Sequence, residues 1–473
     1  MDDPIKPNIL FLLVDSFRTD KCFGRKKTSI TPNLDLLIQN GVYFTQTISC
    51  APVTIPSISS ILTGQYPFKS IVRDGKRAKL NPDIHNFISH LKTSGYSTIA
   101  IIPKLLSLSG LADDFENINE YPGHDGLYDG IGEKTMSIFR GQKLKSPWFF
   151  YVHLLDLHGT ARGFPAKFDD KKYGNNQYER MVSAMDKWLG EFMQEINFED
   201  TLVVLTADHG NDAGIYTPDM ELDKNEVFHG HMVKSFKFGK KISSILPTKL
   251  SPLKSKMKTI YAEKKHKIKS QKKAEKLEKI NQQNLGPYET RVLEHAINPA
   301  YDVFDDRFLV PLLFTGYGVK TSNVIQQQVR TVDIFPTILE IIKIPNYIVS
   351  EGTSLLPLID GLKLKENPAY LESIANWNKS TKTEDLIGIR HDNYKYFRAR
   401  NDHNENIGLY HLKEDPHEEY NLADKKPEKL IEMEKILSKI YTNTQDESET
   451  DDDLGDSEEE KLVEAELKKL GYL

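Results

Sequence analysis

The chain sets short, wholly apolar runs between amphipathic stretches, and three of those runs end in Asp or Asp/His. Ile9–Val14 is unbroken by any polar residue and ends at Asp15. A run of that length without alternation predicts a strand buried on both faces, as in a parallel sheet. Ser97–Ile102, Trp148–Leu155, Thr201–Thr206 and Val310–Phe314 read the same way. Trp148–Leu155 delivers Asp156-Leu157-His158, and Thr201–Thr206 delivers Ala207-Asp208-His209-Gly210. Between them the pattern predicts helices. Thr31–Asn40 has Thr31 as cap, Pro32 at its first position and Gly41 after its end. Pro82–Ser94 is stopped by Gly95, Gln177–Ile196 carries Met181, Met185, Trp188 and Phe192 on one face, and Val332–Ile342 follows the fifth strand. This alternation predicts an α/β domain: a mostly parallel central sheet with helices on both faces.

From about residue 365 the texture changes. Tyr394–Arg398 and Gly408–Leu412 read as short strands of an antiparallel sheet, followed by a helix near Pro427–Ile440. The expected organisation is a catalytic domain over 1–364, a smaller C-terminal α+β subdomain over 365–443, an acidic linker over 444–460 and a terminal helix over 461–473. A Lys-rich insertion is expected within the first domain, over 233–295.

Composition adds little until it is resolved along the chain. The net charge of −6 over 473 residues averages two opposite segments. Val233–Ile280 holds sixteen Lys against three Glu, whereas Asp446–Glu460 holds ten acidic residues and no basic one. Both read as solvated and partly disordered. The Lys-rich arm is a candidate contact for an anionic membrane surface or a polyanion. Only two cysteines, Cys22 and Cys50, are present, so no disulfide framework is expected. The first apolar run is too short for a signal-peptide core, and no later run has the length of a membrane span. The expectation is a cytoplasmic protein, peripheral to a membrane at most.

The chemistry concentrates where the strands end, because ligands of open α/β sheets collect at the carboxyl ends of their strands. Cys50–Gly64 supplies the other half. It passes from a Pro-punctuated loop into a short apolar helix, with Pro56 suited to the first turn and Thr54 expected just outside the N-terminus. Backbone N–H groups there favour an anion, and a divalent cation would activate a hydroxyl placed beside it. Asp15, Thr54, Asp208 and His209 together offer three oxygens and one nitrogen. That donor set suits Zn²⁺ or Mn²⁺ first, with Mg²⁺ and Ca²⁺ also compatible.

At this point the chain resembles the sulfatase branch of the alkaline phosphatase superfamily. Asn8–Val14 with Asp15-Ser16-Phe17-Arg18, Thr31-Pro32-Asn33-Leu34-Asp35 and Ser60-Ile61-Leu62-Thr63-Gly64-Gln65-Tyr66-Pro67 are similar to its opening motifs. His153–Gly159, Ala207–Gly210, His229-Gly230-His231, Val332–Thr337, Gly352–Pro357 and Leu409–Pro416 follow in the family's order. The resemblance implies an alkaline phosphatase-like fold, Asp15, Asp208 and His209 as metal ligands, and His158 and His229 as leaving-group acids or substrate contacts. It also allows a second metal on Asp156, His158 and His229, and a pairing of Arg18 with a substrate oxygen. His153 and His231 are expected to pack or to support the ligands.

One departure decides the expected reaction. The family's formylglycine motif is Cys/Ser-x-Pro-x-Arg, and counting back from Thr63-Gly64 places Thr54 at its nucleophile position, with Pro56 matched and Ile58 in place of the Arg. Cys50 lies four residues too early. Oxidation of Thr gives a ketone, not the aldehyde whose hydrate does the sulfatase chemistry. The Lys-Trp-His stretch that often follows Gly-Tyr-x-Thr is also missing after Gly95-Tyr96-Ser97-Thr98, and Ser16 stands where a second Asp is usual. Relatives with an unmodified Thr are mostly phosphoester enzymes. The expectation is therefore a metal-dependent hydrolase or transferase of phosphate esters, working through Thr54 and a covalent phospho-Thr on an anionic ester. A sulfuric ester hydrolase without formylglycine, and an inactive anion-binding module using the Lys-rich arm, are the alternatives.

Overall fold

The computed structural model describes residues 6–25, 27–74, 77–141, 144–158, 165–211, 278, 285–297, 302–373 and 385–441. His229, His231, the Lys-rich arm apart from Glu278, and the acidic tail lie outside these residues. Residues 1–218 with 301–473 form one compact unit, and 219–300 form another. The second unit is described chiefly by a helix at Pro287–Ile297, in which the Arg291 guanidinium lies 5.3 Å from the centre of the Tyr288 ring. No helix among the described residues is long and apolar enough to cross a membrane.

In chain order the strands are β1 (Asn8–Val14), β2 (Gly41–Ile48), β3 (Ile71–Asp74), β4 (Arg77–Leu80) and β5 (Ser97–Pro103). Then come β6 (Asn117–Tyr121), β7 (Trp148–Leu154), β8 (Thr201–Thr206), β9 (Leu309–Gly316) and β10 (Asn323–Ile325). The last five are β11 (Val329–Arg330), β12 (Ala369–Ser373), β13 (Leu386–His391), β14 (Tyr394–Ala399) and β15 (Gly408–His411). A nine-stranded sheet runs β10-β2-β9-β8-β1-β7-β5-β6, with β11 also on β2. All its pairings are parallel except the two made by β9, which runs against both β2 and β8. The mostly parallel expectation therefore holds, with the fifth predicted strand as the reversed one.

The reason β1 reads as one apolar run is visible in its packing. Leu10, Leu12 and Val14 enter the core on one face of the sheet, and Ile9, Phe11 and Leu13 enter the core on the other. Both faces are covered, so no position on β1 tolerates water. Its neighbours are β7 and β8, so the three strands whose ends carry Asp15, Asp156 and Asp208 lie side by side. Sequence spacing of about two hundred residues becomes adjacency.

Several boundaries differ from the sequence reading. The 82–94 helix is shorter, Phe87–Thr93, because the Asn86 side chain accepts from Ser89 N–H and caps it there. The 31–40 helix is Pro32–Gln39 with Thr31 at its N-cap as expected, although the Thr31 hydroxyl bonds the Asp35 carboxylate and makes no cap bond to the backbone. Val332–Ile342 is split into a 3-10 turn at Thr331–Asp333 and a helix at Ile334–Ile341. Strands β2, β3, β4, β6, β10, β11, β12 and β13 lie outside the predicted runs.

Strands β12-β13-β14-β15 form the expected antiparallel C-terminal sheet, and Pro427–Tyr441 packs on it through Met433 and Leu437. The same apolar cluster includes Cys50, Tyr66 and Val332. The C-terminal sheet thus abuts the segment that leads into the Thr54 helix.

Candidate active site

Thr54 opens a helix that runs to Thr63, and Val53 is its N-cap. Thr54 is therefore the first helical residue and not a cap outside it, a correction of one position. The extended backbone of the Val53 cap ends the approach loop, and Pro56 falls in the first turn, where it removes no internal bond. Ile58, Ile61 and Leu62 anchor the helix in the core. Gly64 ends it at φ 66, where a Cβ would collide with Ser350. Both ends are fixed, so the Thr54 hydroxyl is delivered to a set place.

That place is the junction of β1 and β8. Thr54 Oγ1 donates to Asp15 Oδ2 at 3.1 Å and lies 3.5 Å from His209 Nε2. Asp15, Asp208 and His209 each point one ligand atom inward, all within 4.8 Å of one another, and all three are buried. Every member of the predicted first metal set is brought together.

The details fit a divalent cation. His209 Nδ1 is 2.7 Å from the Gly210 carbonyl, and donation there leaves the Nε2 lone pair facing the centre. Asp208 Oδ1 accepts the Ser16 and His209 N–H groups at 3.1 and 2.8 Å. Its Oδ2 is buried with no hydrogen-bond partner among the described residues. A buried carboxylate oxygen left so is costly unless a cation takes it. Burial first, and then the charge of Asp15, push the Asp208 carboxyl up to about 8. Burial also pushes Asp15 upward, but the His158 charge, the nearby His153 ring and the His158 hydrogen bond outweigh it and hold Asp15 well below the usual carboxylate range. Two carboxylates driven apart in this way share a space that a cation would neutralise.

The remaining candidates divide. His158 joins the group, with Nδ1 2.8 Å from Asp15 Oδ1. Asp156 Oδ1 accepts the Leu127 N–H at 2.9 Å, and Asp156 is not part of the three-ligand cluster found among the described residues. Arg18 is buried and its guanidinium is taken by Asp20 at 2.8 Å and Asp306 at 3.0 Å, with a further bond to the Asn211 carbonyl. It brackets the site's edge through these bonds. His229 lies outside the described residues.

Further side chains surround these groups. Ser16 sits at φ 62, in the left-handed region that costs a non-glycine residue about 1 kcal/mol or more. Its hydroxyl bonds Asp15 Oδ1 at 2.7 Å, and its carbonyl accepts from the Tyr178 hydroxyl. Ser49 donates to the Asp208 carbonyl and lies 3.2 Å from Ser57 Oγ on the Thr54 helix. His153 Nε2, fully buried on β7, is 3.6 Å from Asp15 Oδ2. Ser16 and Ser49 are ordinary small polar residues in sequence, so no spacing rule selects them as supports; His153 is the one of the three already expected to pack or to support the ligands. Cys50, by contrast, is buried 3.9 Å from Thr331 Oγ1, packed on the C-terminal sheet.

A mostly parallel sheet with helices on both faces, a buried acidic cluster that could hold a metal ion at its strand ends and a hydroxyl on a helix start match an alkaline phosphatase-like fold. Comparison with known sequences gives the family. The sulfatase family profile matches residues 7–344, and the chain belongs to that family, whose members are metal-dependent. A second profile, N-sulphoglucosamine sulphohydrolase C-terminal, matches residues 294–450. Arylsulfatase K of Danio rerio is 29% identical over 151 residues, which is 31% of this chain and 28% of that protein. The matched segment thus spans less than a third of that relative's length. Among solved structures, a complex with its substrate D-glucosamine-2-N,6-O-disulfate superposes with a TM-score of 0.62 at 15% identity, over 93% of this chain and 99% of that one. The phosphonate monoester hydrolase of Agrobacterium radiobacter gives a TM-score of 0.59 at 16% identity, over 92% and 96%. Likeness at these identities concerns the fold.

Proposed function

We propose that the protein is a metal-dependent hydrolase of phosphate esters in which Thr54 is the nucleophile. The observation that carries the reading is the Thr54 hydroxyl, 3.1 Å from Asp15 and 3.5 Å from His209, at the edge of the buried three-ligand cluster. Asp15, Asp208 and His209 would hold a divalent cation, Zn²⁺ or Mn²⁺ by donor type. Such a cation lowers the pKa of a nearby hydroxyl and draws the charge of a bound anion.

The chain's own groups account for the rest. Helix N-terminal N–H groups around Thr54 favour an anionic ester, and the Asp15 contact orients the hydroxyl. Oγ1, its proton lost to solvent, bonds to phosphorus as the bond to the leaving-group oxygen breaks, and that oxygen takes a proton from a nearby acid. His158, whose Nδ1 lies 2.8 Å from Asp15 Oδ1, would supply that proton. Water then attacks the phospho-Thr and restores the hydroxyl.

A sulfate ester is the second reading, favoured by relatives named as sulfatases. A secondary alcohol at the nucleophile position speaks against formylglycine chemistry. A panel of aryl phosphate, phosphodiester, phosphonate and sulfate esters, each assayed with added Zn²⁺ or Mn²⁺, separates the two. The expected result is a phosphorus ester as the best substrate. Sulfate turnover exceeding all of them would overturn the proposal.

A further inference from the structure

A buried charged group joins the C-terminal sheet to the metal-ligand turn. Lys395, on β14, is fully buried, and its ammonium meets the Asp305 carboxylate, Glu418 Oε1 at 2.8 Å and the Val303 carbonyl at 2.9 Å. Glu418 Oε2 accepts the Asp305 N–H at 2.8 Å, and Arg390 on β13 reaches Asp305 Oδ2 at 3.3 Å. Ionised groups are rarely sunk so deep in a fold unless their mutual geometry is used.

Glu418 makes the point more sharply. It stands at φ 54, a left-handed backbone that suits Gly or Asn and penalises a long side chain. A residue that carries backbone strain and a buried carboxyl is held there by what the carboxyl does.

The group's output is the strap at 303–308. Immediately after Asp305, Asp306 Oδ1 receives Arg18. The Arg307 carbonyl accepts the Gly210 N–H at 2.7 Å, and the Phe308 carbonyl accepts the Ser49 N–H at 2.8 Å. A Cβ on Gly210 would collide with the Asp306 carbonyl, so strap and turn touch backbone to backbone. Gly210 ends the Asp208-His209 turn and supplies the carbonyl that orients His209, while Ser49 bonds the Asp208 carbonyl. The strap therefore grips both sides of the ligand turn.

We infer that Lys395, Glu418 and Asp305 form a positioning triad through which the C-terminal sheet fixes the strap and, with it, the Asp208–His209 turn. These are positioning residues; none touches the reacting atoms. The inference concerns the placement of that turn and stands whichever ester the site cleaves.

Amide hydrogen exchange on the full chain tests it. Glu418→Gly removes the carboxyl while relieving the φ of 54°, so the local backbone is spared. Lys395→Met removes the ammonium. Glu418→Gln keeps an oxygen to accept the Asp305 N–H. In Glu418→Gly and Lys395→Met the Gly210 and Ser49 amides should exchange at least about tenfold faster, while β1 and β7 amides stay within about threefold of the wild type. Glu418→Gln should retain most of the wild-type protection. Retained Mn²⁺, read by elemental analysis, should fall in step with the lost protection. Unchanged exchange at Gly210 and Ser49 in Glu418→Gly overturns the inference, as does a uniform rise across all strands. Should Lys395→Met fail to fold, the two Glu418 variants still decide the matter. Failure of the phosphoester reading would appear in the substrate panel and leave these exchange rates untouched.

Discussion

His209 Nδ1 lies 2.7 Å from the carbonyl of Gly210, its own neighbour in the chain, and this short contact sets which nitrogen faces the active site. With the proton held on Nδ1, Nε2 presents its lone pair beside Asp15 and Asp208. The three groups that would hold the cation are thus already oriented towards one another, and removal of one should be felt directly.

Elemental analysis of purified protein should find about one equivalent of divalent cation in the wild type. Asp208→Asn removes the charge of a cluster carboxylate whose inner oxygen has no hydrogen-bond partner among the described residues. It should retain less than about a tenth of the metal, in line with the 10–100-fold losses typical of altered metal sites. Chelation of the wild type should lower its melting temperature, because an ion at about 100 times its Kd stabilises the folded state by about 2.7 kcal/mol. Asp208→Asn should show little further change on chelation.

The two thiols provide a separate check on the nucleophile. Burial raises both Cys22 and Cys50 to about 12, so neither offers thiolate at neutral pH. A thiol reagent should label neither in the native protein and both in denaturant. Cys50→Ser should keep activity within about threefold of the wild type, since Cys50 packs away from the reacting atoms. Rapid native labelling of Cys50 with loss of turnover would return the chemistry to that residue.

The buried triad predicts a pH dependence of stability with a definite sign. Burial pushes the Glu418 carboxyl from 4.5 up to about 7, against the opposing Lys395 charge and with help from Asp305, while Arg390 meets Asp305 from β13. The folded state then binds this proton more tightly than the unfolded chain. Its contribution is whole below about pH 4.5, declines as pH rises towards 7 and is flat above that, at no more than about 1.4 kcal/mol per pH unit. Urea unfolding between pH 5 and 8 should show the wild type losing stability relative to Glu418→Gln up to about pH 7 and running parallel beyond it. A wild type that gains on Glu418→Gln across that window contradicts the assignment.

How much of this was legible in the sequence follows from what leaves a local trace. The runs that became β1, β7 and β8 are apolar throughout because both sheet faces are covered, and their terminal Asp and His residues stand out against them. Thr54 was legible through its helix and its distance from Thr63-Gly64, although its cap position was misjudged by one residue. The reversal of β9 was not legible, since a buried run reads the same in either direction. Strand β2 was missed because Gly41–Ile48 mixes Thr and Gln into a strand that carries a register shift between Phe44 and Thr47. The destination of Arg18 depends on Asp306, 288 residues later, and the grip of Lys395 on Val303 spans 92. Such contacts are products of topology and have no periodicity to read.

In the proposed reaction Thr54 itself accepts the phosphoryl group. Metal-loaded protein mixed with an aryl phosphate ester, quenched in acid within the first turnovers and digested, reads this by mass spectrometry. A phosphoryl adduct should map to Thr54, and Thr54→Ala should lose the adduct together with at least about 10³-fold in kcat. An unmodified Thr54 in the quenched wild type, with Thr54→Ala turning over the ester as fast, would contradict the account.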